Sequence, residues 1–180
     1  MNALESGTVF DTAVHTLLEL IDLTAPFAAD FDAKAEMIAR VVELSDLTRF
    51  VAVAKSALNS APVNRAATRE HWQEMQLAGP LSDNDTVVEG VADLVYREDD
   101  QSLVIIDYKT DVVVSEQTLE AYWAQLSVYA DLLTRVAGER VSALVLLFLR
   151  PGEAEVLERR FDTRPDTRSL DLVGDGEGPG

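Results

Sequence analysis

The spacing of apolar positions separates a helical N-terminal part from a strand-rich remainder. Over residues 8 to 21, Val9, Ala13, Val14, Leu17, Leu18 and Ile21 recur at helical intervals, and Pro26 closes the segment that follows. Phe31, Ala35, Ile38 and Val42 mark a second helix that Asp30 can cap. Leu47, Phe50, Val51, Ala54 and Leu58 mark a third, with Ser45 or Asp46 as its cap, and Pro62 is expected to end the helical region. The period then changes. TVVEGVADLVY (86–96) and SLVIIDYK (102–109) are rich in β-branched residues and flank the polar link REDDQ, so they read as a β-hairpin. Leu119, Tyr122, Leu126, Tyr129 and Leu133 repeat in steps of three and four, marking a long amphipathic helix that ends near Gly138. VSALVLLFL (141–149) is almost wholly apolar, as in a strand covered on both faces, and Pro151 and Gly152 turn into an edge strand at 154–161.

This order of elements predicts an α/β fold, with a central mixed β-sheet flanked by helices on both sides. A helical region at about 8–60 and a hairpin at about 86–109 belong to one domain over residues 1–161. The polar stretch 162–180, ending GDGEGPG, is expected to be a disordered tail.

Composition narrows the chemistry. Of 180 residues, 47% are hydrophobic, enough for one full core. No apolar run is long enough to cross a bilayer and the start MNALESGTVFD is not signal-like, so no membrane partner and a cytoplasmic location are expected. With no cysteine there is no disulfide, thiolate-held zinc, iron-sulfur cluster or thiol nucleophile, and any metal must be held by oxygen and imidazole ligands. The 32 acidic and 15 basic residues give a net charge of -17, which opposes diffuse attraction to a polyanion. That conflicts with a free-standing nucleic-acid binder, but not with a catalytic module to which another domain or subunit delivers a strand.

Within the hairpin, Asp107 and Lys109 are two apart and project together, while Tyr108 points to the opposite face. If the hairpin centres near Asp100, Asp93 lies across from Asp107 with Cβ atoms about 5 Å apart. Two facing carboxylates in apolar strands need compensation, which a divalent cation would supply. The plain alternative pairs Asp107 with Lys109 and leaves Asp93 to cap a turn. His15 sits beside the stripe of helix one, with Asp11 and Glu19 one turn away, a pattern that equally suits an exposed, salt-paired histidine.

The stretch VVEGVADLVYREDDQSLVIIDYKTD, followed by EAYWAQLSVYADLL, resembles the C-terminal nuclease domain of RecB, AddA and related UvrD-like helicase-nucleases. These domains belong to the PD-(D/E)XK nuclease superfamily. AVHTLLEL (13–20) and WQEMQLAGPL (72–81) extend the similarity over most of the chain. The resemblance implies a restriction-endonuclease-like core and hydrolysis of DNA phosphodiesters, as an exonuclease or endonuclease leaving 5′-phosphate and 3′-hydroxyl ends. It implies Mg²⁺, with Mn²⁺ able to substitute, held by His15, Asp93 and Asp107; Asp93, Asp107 and Lys109 are the implied catalytic set. Asp107 stands where many members have glutamate. Lys109 would orient the attacking water and offset charge on phosphorus. Gln125 and Tyr129 match a Q-x-x-x-Y element that reaches toward DNA or the scissile phosphate, although Tyr129 also fits the core stripe. Glu74 matches an acidic residue of the strand before the hairpin, either in a salt bridge or supporting the metal.

The implied setting is recombination and double-strand break repair. Single-stranded DNA ends would be delivered by a helicase domain or subunit, with an AddB-, AdnA- or RecC-like partner. No Walker A sequence is present. Two features depart from the family: Asp11 and Thr12 precede A-V-H where glycine and a basic residue are common, and only Arg65, Arg69 and His71 cluster upstream of the hairpin. The rival reading is a catalytically inactive domain that docks a helicase or partner subunit.

Overall fold

The apolar stripes of the N-terminal part become three helices, α1 (Ala3–Leu20), α2 (Phe31–Val41) and α3 (Leu47–Leu58). The computed structural model describes residues 3–80 and 87–161. The expected tail at 162–180, and the expected start of the hairpin at residue 86, lie outside the described residues. Asp46 caps α3 by accepting a hydrogen bond from the Arg49 N–H at 2.9 Å. Asp30 stands before α2 without such a bond, and its carboxylate instead meets Lys34 Nζ at 2.9 Å. Pro62 does not end the helical region. It occupies the first turn of a further helix, α4 (Ala61–Ala67), where its missing N–H would have had no partner in any case.

Five strands form one sheet in the order β1-β2-β3-β4-β5: His71–Pro80, Val87–Arg97, Leu103–Lys109, Val141–Phe148 and Glu155–Arg160. β1 and β5 are the edges and stay largely uncovered, so neither needs a clean apolar alternation. β3 and β4 run parallel, a pairing that requires a crossover. The crossover is α5 (Glu116–Leu132), capped by Ser115, whose Oγ accepts from the Thr118 N–H at 3.1 Å. A π-type turn over Leu133–Ala137 prolongs this helix, and Gly138, at φ 71°, ends it in the left-handed conformation.

The sheet has a core on each face. Helices α1 to α4 bury Val14, Leu17 and Phe50 against Leu94, Ile106, Tyr108, Val145 and Leu147. On the other face α5 buries Trp123, Leu126 and Tyr129 against Val95, Ile105, Leu144 and Leu146. Among the described residues no helix is long and apolar enough to cross a membrane. In the hairpin, Leu94 faces Ile106 and Tyr96 faces Val104, the register of a turn centred at Asp100. The ladder ends at that pair, and beyond it Asp93 reaches β3 through its side chain, which accepts the Tyr108 N–H.

Two contacts tie the layers. The Tyr129 ring lies so close to Gly90 of β2 that a Cβ there would stand 2.5 Å from the Tyr129 hydroxyl. Gly90→Ala should therefore destabilise the fold by about 1–3 kcal/mol, read as a lowered thermal midpoint, and an unchanged midpoint would show that α5 is free to back away. At the hairpin base, Arg97 bonds Glu70 and Glu139 at 2.8 and 2.9 Å and lies 5.5 Å from the Trp72 ring centroid. The Arg97 hydrogen bond holds the Glu139 carboxyl below its ordinary value of 4.5. This contribution is present above pH 4.5 and is lost as the pH falls through the lower folded value. Arg97→Gln should cost about 1–2 kcal/mol in chemical denaturation near neutrality, and the gap from wild type should narrow below pH 4.5; a constant gap would exclude the Glu139 pair as its source.

Candidate active site

A paired irregularity in β1 and β2 creates the site. Trp72 and Met75 both pack toward the α5 core, while Gln73 between them donates to the Leu18 and Ile21 carbonyls of α1 at 2.7 and 3.1 Å. Likewise Ala92 and Val95 face α5, while Leu94 faces α1. In each strand the faces slip by one residue, at Glu74 and at Asp93, and these two are left out of a ladder that otherwise pairs Gln73 with Leu94 and Met75 with Ala92. Glu74 accommodates the slip at φ 50°, a conformation costly for a residue with a Cβ. The result brings ligand atoms of Glu74, Asp93 and His15 within 4.8 Å of one another.

His15 arrives from α1, its Nδ1 3.2 Å from Asp93 Oδ1 and its Nε2 3.7 Å from Asp11 Oδ1. The other Asp93 oxygen accepts the Tyr108 N–H at 2.6 Å, so the carboxylate stitches β2 to β3 where the ladder stops. Tyr108 itself turns to the α1 face, its ring edge-on to His15 at 6.0 Å. Asp107 and Lys109 emerge at the end of β3, Nζ lying 2.6 Å from Asp107 Oδ2. Apart from this ammonium, the buried Asp107 Oδ2 has no hydrogen-bond partner among the described residues. His15, Asp93, Asp107, Lys109 and Gln125 all line one cavity of about 730 Å³. Tyr129 does not line it. Its hydroxyl accepts from Gln125 Nε2 at 2.9 Å and its ring is core, so it holds Gln125 from below.

The electrostatics follow from three carboxylates crowded around few cations. Burial alone would lower the His15 pKa, but the Asp93 hydrogen bond, with the charges of Asp93, Asp11 and Glu74, pushes it up to about 9. Burial, followed by the charge of Asp93, pushes the Asp107 carboxyl up to about 6 against the pull of Lys109 and His15. Glu74 is raised for the same two reasons. A site that penalises its own negative charge this way is one where a cation is stabilised.

The amino-acid sequence matches the profile of the PD-(D/E)XK nuclease superfamily over residues 2–172. The chain belongs to that superfamily. It is also similar to proteins named as ATP-dependent helicase/nuclease subunits. One, from Clostridioides difficile, is 28% identical over 177 residues, covering 83% of this chain and 14% of the relative. One from Anoxybacillus flavithermus is 31% identical over 150 residues, covering 76% and 12%, and one from Lacticaseibacillus casei is 28% identical over 166 residues, covering 82% and 13%. The chain thus spans 12–14% of the length of these relatives. The crystal structure of SSO0001 overlaps it with a TM-score of 0.42 at 15% identity, covering 85% of this chain and 76% of the other.

A divalent cation is typical of PD-(D/E)XK nucleases, and the donor set suits one: an imidazole nitrogen and carboxylate oxygens in the His15, Glu74 and Asp93 group, with the buried Asp107 carboxylate, paired with Lys109, in the same cavity as His15 and Asp93. Glu74 thus stands closer to the centre than a distant supporting role would require. Asp107, expected to share an ion directly with Asp93, lies outside the close three-residue group and is engaged by Lys109. Arg65 and Arg69, in the sparse positive cluster upstream of the hairpin, are paired with Glu98 and Asp99 at the hairpin turn.

Tyr122 is a site residue that the helical stripe concealed. Its ring lies 4.2 Å from Lys109 Nζ and its hydroxyl donates to Asp111 Oδ2 at 2.8 Å. The available signal was its position three residues before Gln125, on the same helical face. Asp11 is a second, since it accepts from Thr110 Oγ1 at 2.7 Å and binds the end of β3 to α1.

Proposed function

We propose that this chain is the nuclease domain of a larger helicase-nuclease, a Mg²⁺-dependent deoxyribonuclease for which Mn²⁺ can substitute. The observation that carries the reading is that His15 and Asp93, with Glu74 within reach of both, share one open cavity with the buried Asp107 carboxylate and the Lys109 ammonium. In this reading His15, Asp93 and Asp107 hold the metal, with Glu74 beside them, and Asp93, Asp107 and Lys109 form the catalytic set. When bound, the cation supplies polarisation of the phosphate and a lowered water pKa. The chain's own residues supply the rest. Lys109, held between Asp107 and the Tyr122 ring, keeps its position and charge where negative charge grows on the phosphate. In the hydrolysis a water oxygen bonds to phosphorus as one ester P–O bond breaks. Gln125, propped by Tyr129, offers an amide to the strand. Tyr108 closes the floor and keeps water from the buried side of Asp93.

The name the relatives share, ATP-dependent helicase/nuclease, supports a nuclease working beside helicase motor domains. In this reading the domain is an exonuclease on single-stranded DNA ends that those motors deliver, in recombination and double-strand break repair in the cytoplasm. An AddB-, AdnA- or RecC-like protein is the partner this reading calls for.

Two measurements test it. Saturating Mn²⁺ should raise the thermal midpoint of wild type by about 5 °C or more and leave Asp93→Asn almost unmoved. Equal shifts in both proteins would remove the ion from these residues. Wild type with Mg²⁺ should shorten single-stranded oligonucleotides, with Lys109→Ala slower by about 10²-fold or more. Equal cleavage by the two would dismiss Lys109 from the chemistry, and none by either, with a helicase partner present, would favour a docking domain.

A further inference from the structure

Three side chains lining the cavity can carry positive charge: His15, Lys109 and Arg49. Two of them are already matched, His15 by Asp93 at 3.2 Å and Lys109 by Asp107 at 2.6 Å. Arg49 is not. Among the described residues no carboxylate lies within ion-pair distance of its guanidinium, and only its backbone N–H engages Asp46. Arg65, Arg69, Arg97, Arg135, Arg140 and Arg159, by contrast, are all ion-paired.

The Arg49 side chain is nonetheless placed. Its guanidinium carbon lies 4.5 Å from the centroid of the Phe10 ring, and Phe10 packs edge-on to Phe50 with centroids 6.3 Å apart at 78°. Phe50 is fully buried, so the stack is anchored in the core between α1 and α3. Stacking fixes the plane of a guanidinium while leaving its N–H donors free, the state in which arginine recognises phosphate. The need for such a donor is local, because Asp11, Asp46 and Asp111 line the same cavity and repel a polyanion. Asp11 and Thr12 also leave the turn of α1 before His15 without a lysine or arginine.

Resting on the nuclease reading above, we infer that Arg49, seated on Phe10, binds a backbone phosphate of the single DNA strand next to the one being cut. The strand would then be held from the α3 wall by Arg49 and from the α5 wall by Gln125, and Lys109 stays with the scissile group. Arg49 is a substrate-binding residue for a phosphate that does not react.

The test is fluorescence anisotropy of a labelled oligothymidylate with the full chain in EDTA, across a range of salt. Arg49→Gln should bind about tenfold more weakly at low salt and lower the slope of log affinity against log salt by about 0.7, the loss of one single-strand phosphate contact. Arg49→Lys should restore the slope, and thermal midpoints should match throughout. Coincident curves for wild type and Arg49→Gln, including no binding by either, overturn the inference. Arg49-dependent binding by a wild type that leaves the strand uncut with Mg²⁺ and a helicase partner present supports the contact while removing the nuclease reading; cleavage with coincident curves does the reverse.

Discussion

Burying carboxylates in a β-sheet is the constraint around which the rest of the molecule is arranged. Asp93 and Asp107 are 9% and 4% exposed at neighbouring positions of β2 and β3, where unpaired negative charge is costly. The local structure divides the burden. Asp93 is met by an imidazole and a backbone N–H, and Asp107 by an ammonium 2.6 Å away. Even so, several groups here are shifted toward their protonated forms. An arrangement this strained electrostatically is poor as pure architecture and well suited to a site that takes a cation.

The cavity exists because elements from both faces of the sheet meet at one end of the hairpin. α1 brings His15 and Asp11 from one side, and α5 brings Tyr122 and Gln125 from the other. The approach of α5 depends on Gly90, whose missing Cβ admits the Tyr129 ring. That ring then fixes Gln125, so a residue deep in the second core sets the position of a polar group in the cavity. The slip at Glu74 and Asp93 does the corresponding work for α1, turning both carboxylates toward His15 with the loss of two ladder positions.

Charge is distributed in keeping with the proposal that other domains deliver the strand. Most arginines are engaged in local ion pairs, many around the hairpin turn and the edges, away from the cavity. With a net charge of -17, little long-range attraction is left to gather DNA, and short-range contacts must act on a strand already brought close. The match to only 12–14% of much longer helicase/nuclease relatives has the same sense.

What depends on local periodicity was legible in the chain itself. The two β-branched runs about a polar link fix a register centred on Asp100; a spacing of two puts Lys109 beside Asp107, and a spacing of four joins Gln125 to Tyr129. The helix α4 behind Pro62 was hidden because proline reads alike at a helix stop and a helix start. Edge strand β1 was legible only through the family resemblance, because half-exposed positions carry no alternation. Glu74 at positive φ, Tyr122 over Lys109 and Arg49 on Phe10 were beyond any local pattern. Each is settled by packing between parts of the chain far apart in sequence or by a backbone turn with no residue signature. Periodicity says which face of an element is buried, and only the assembled layers decide what that face meets.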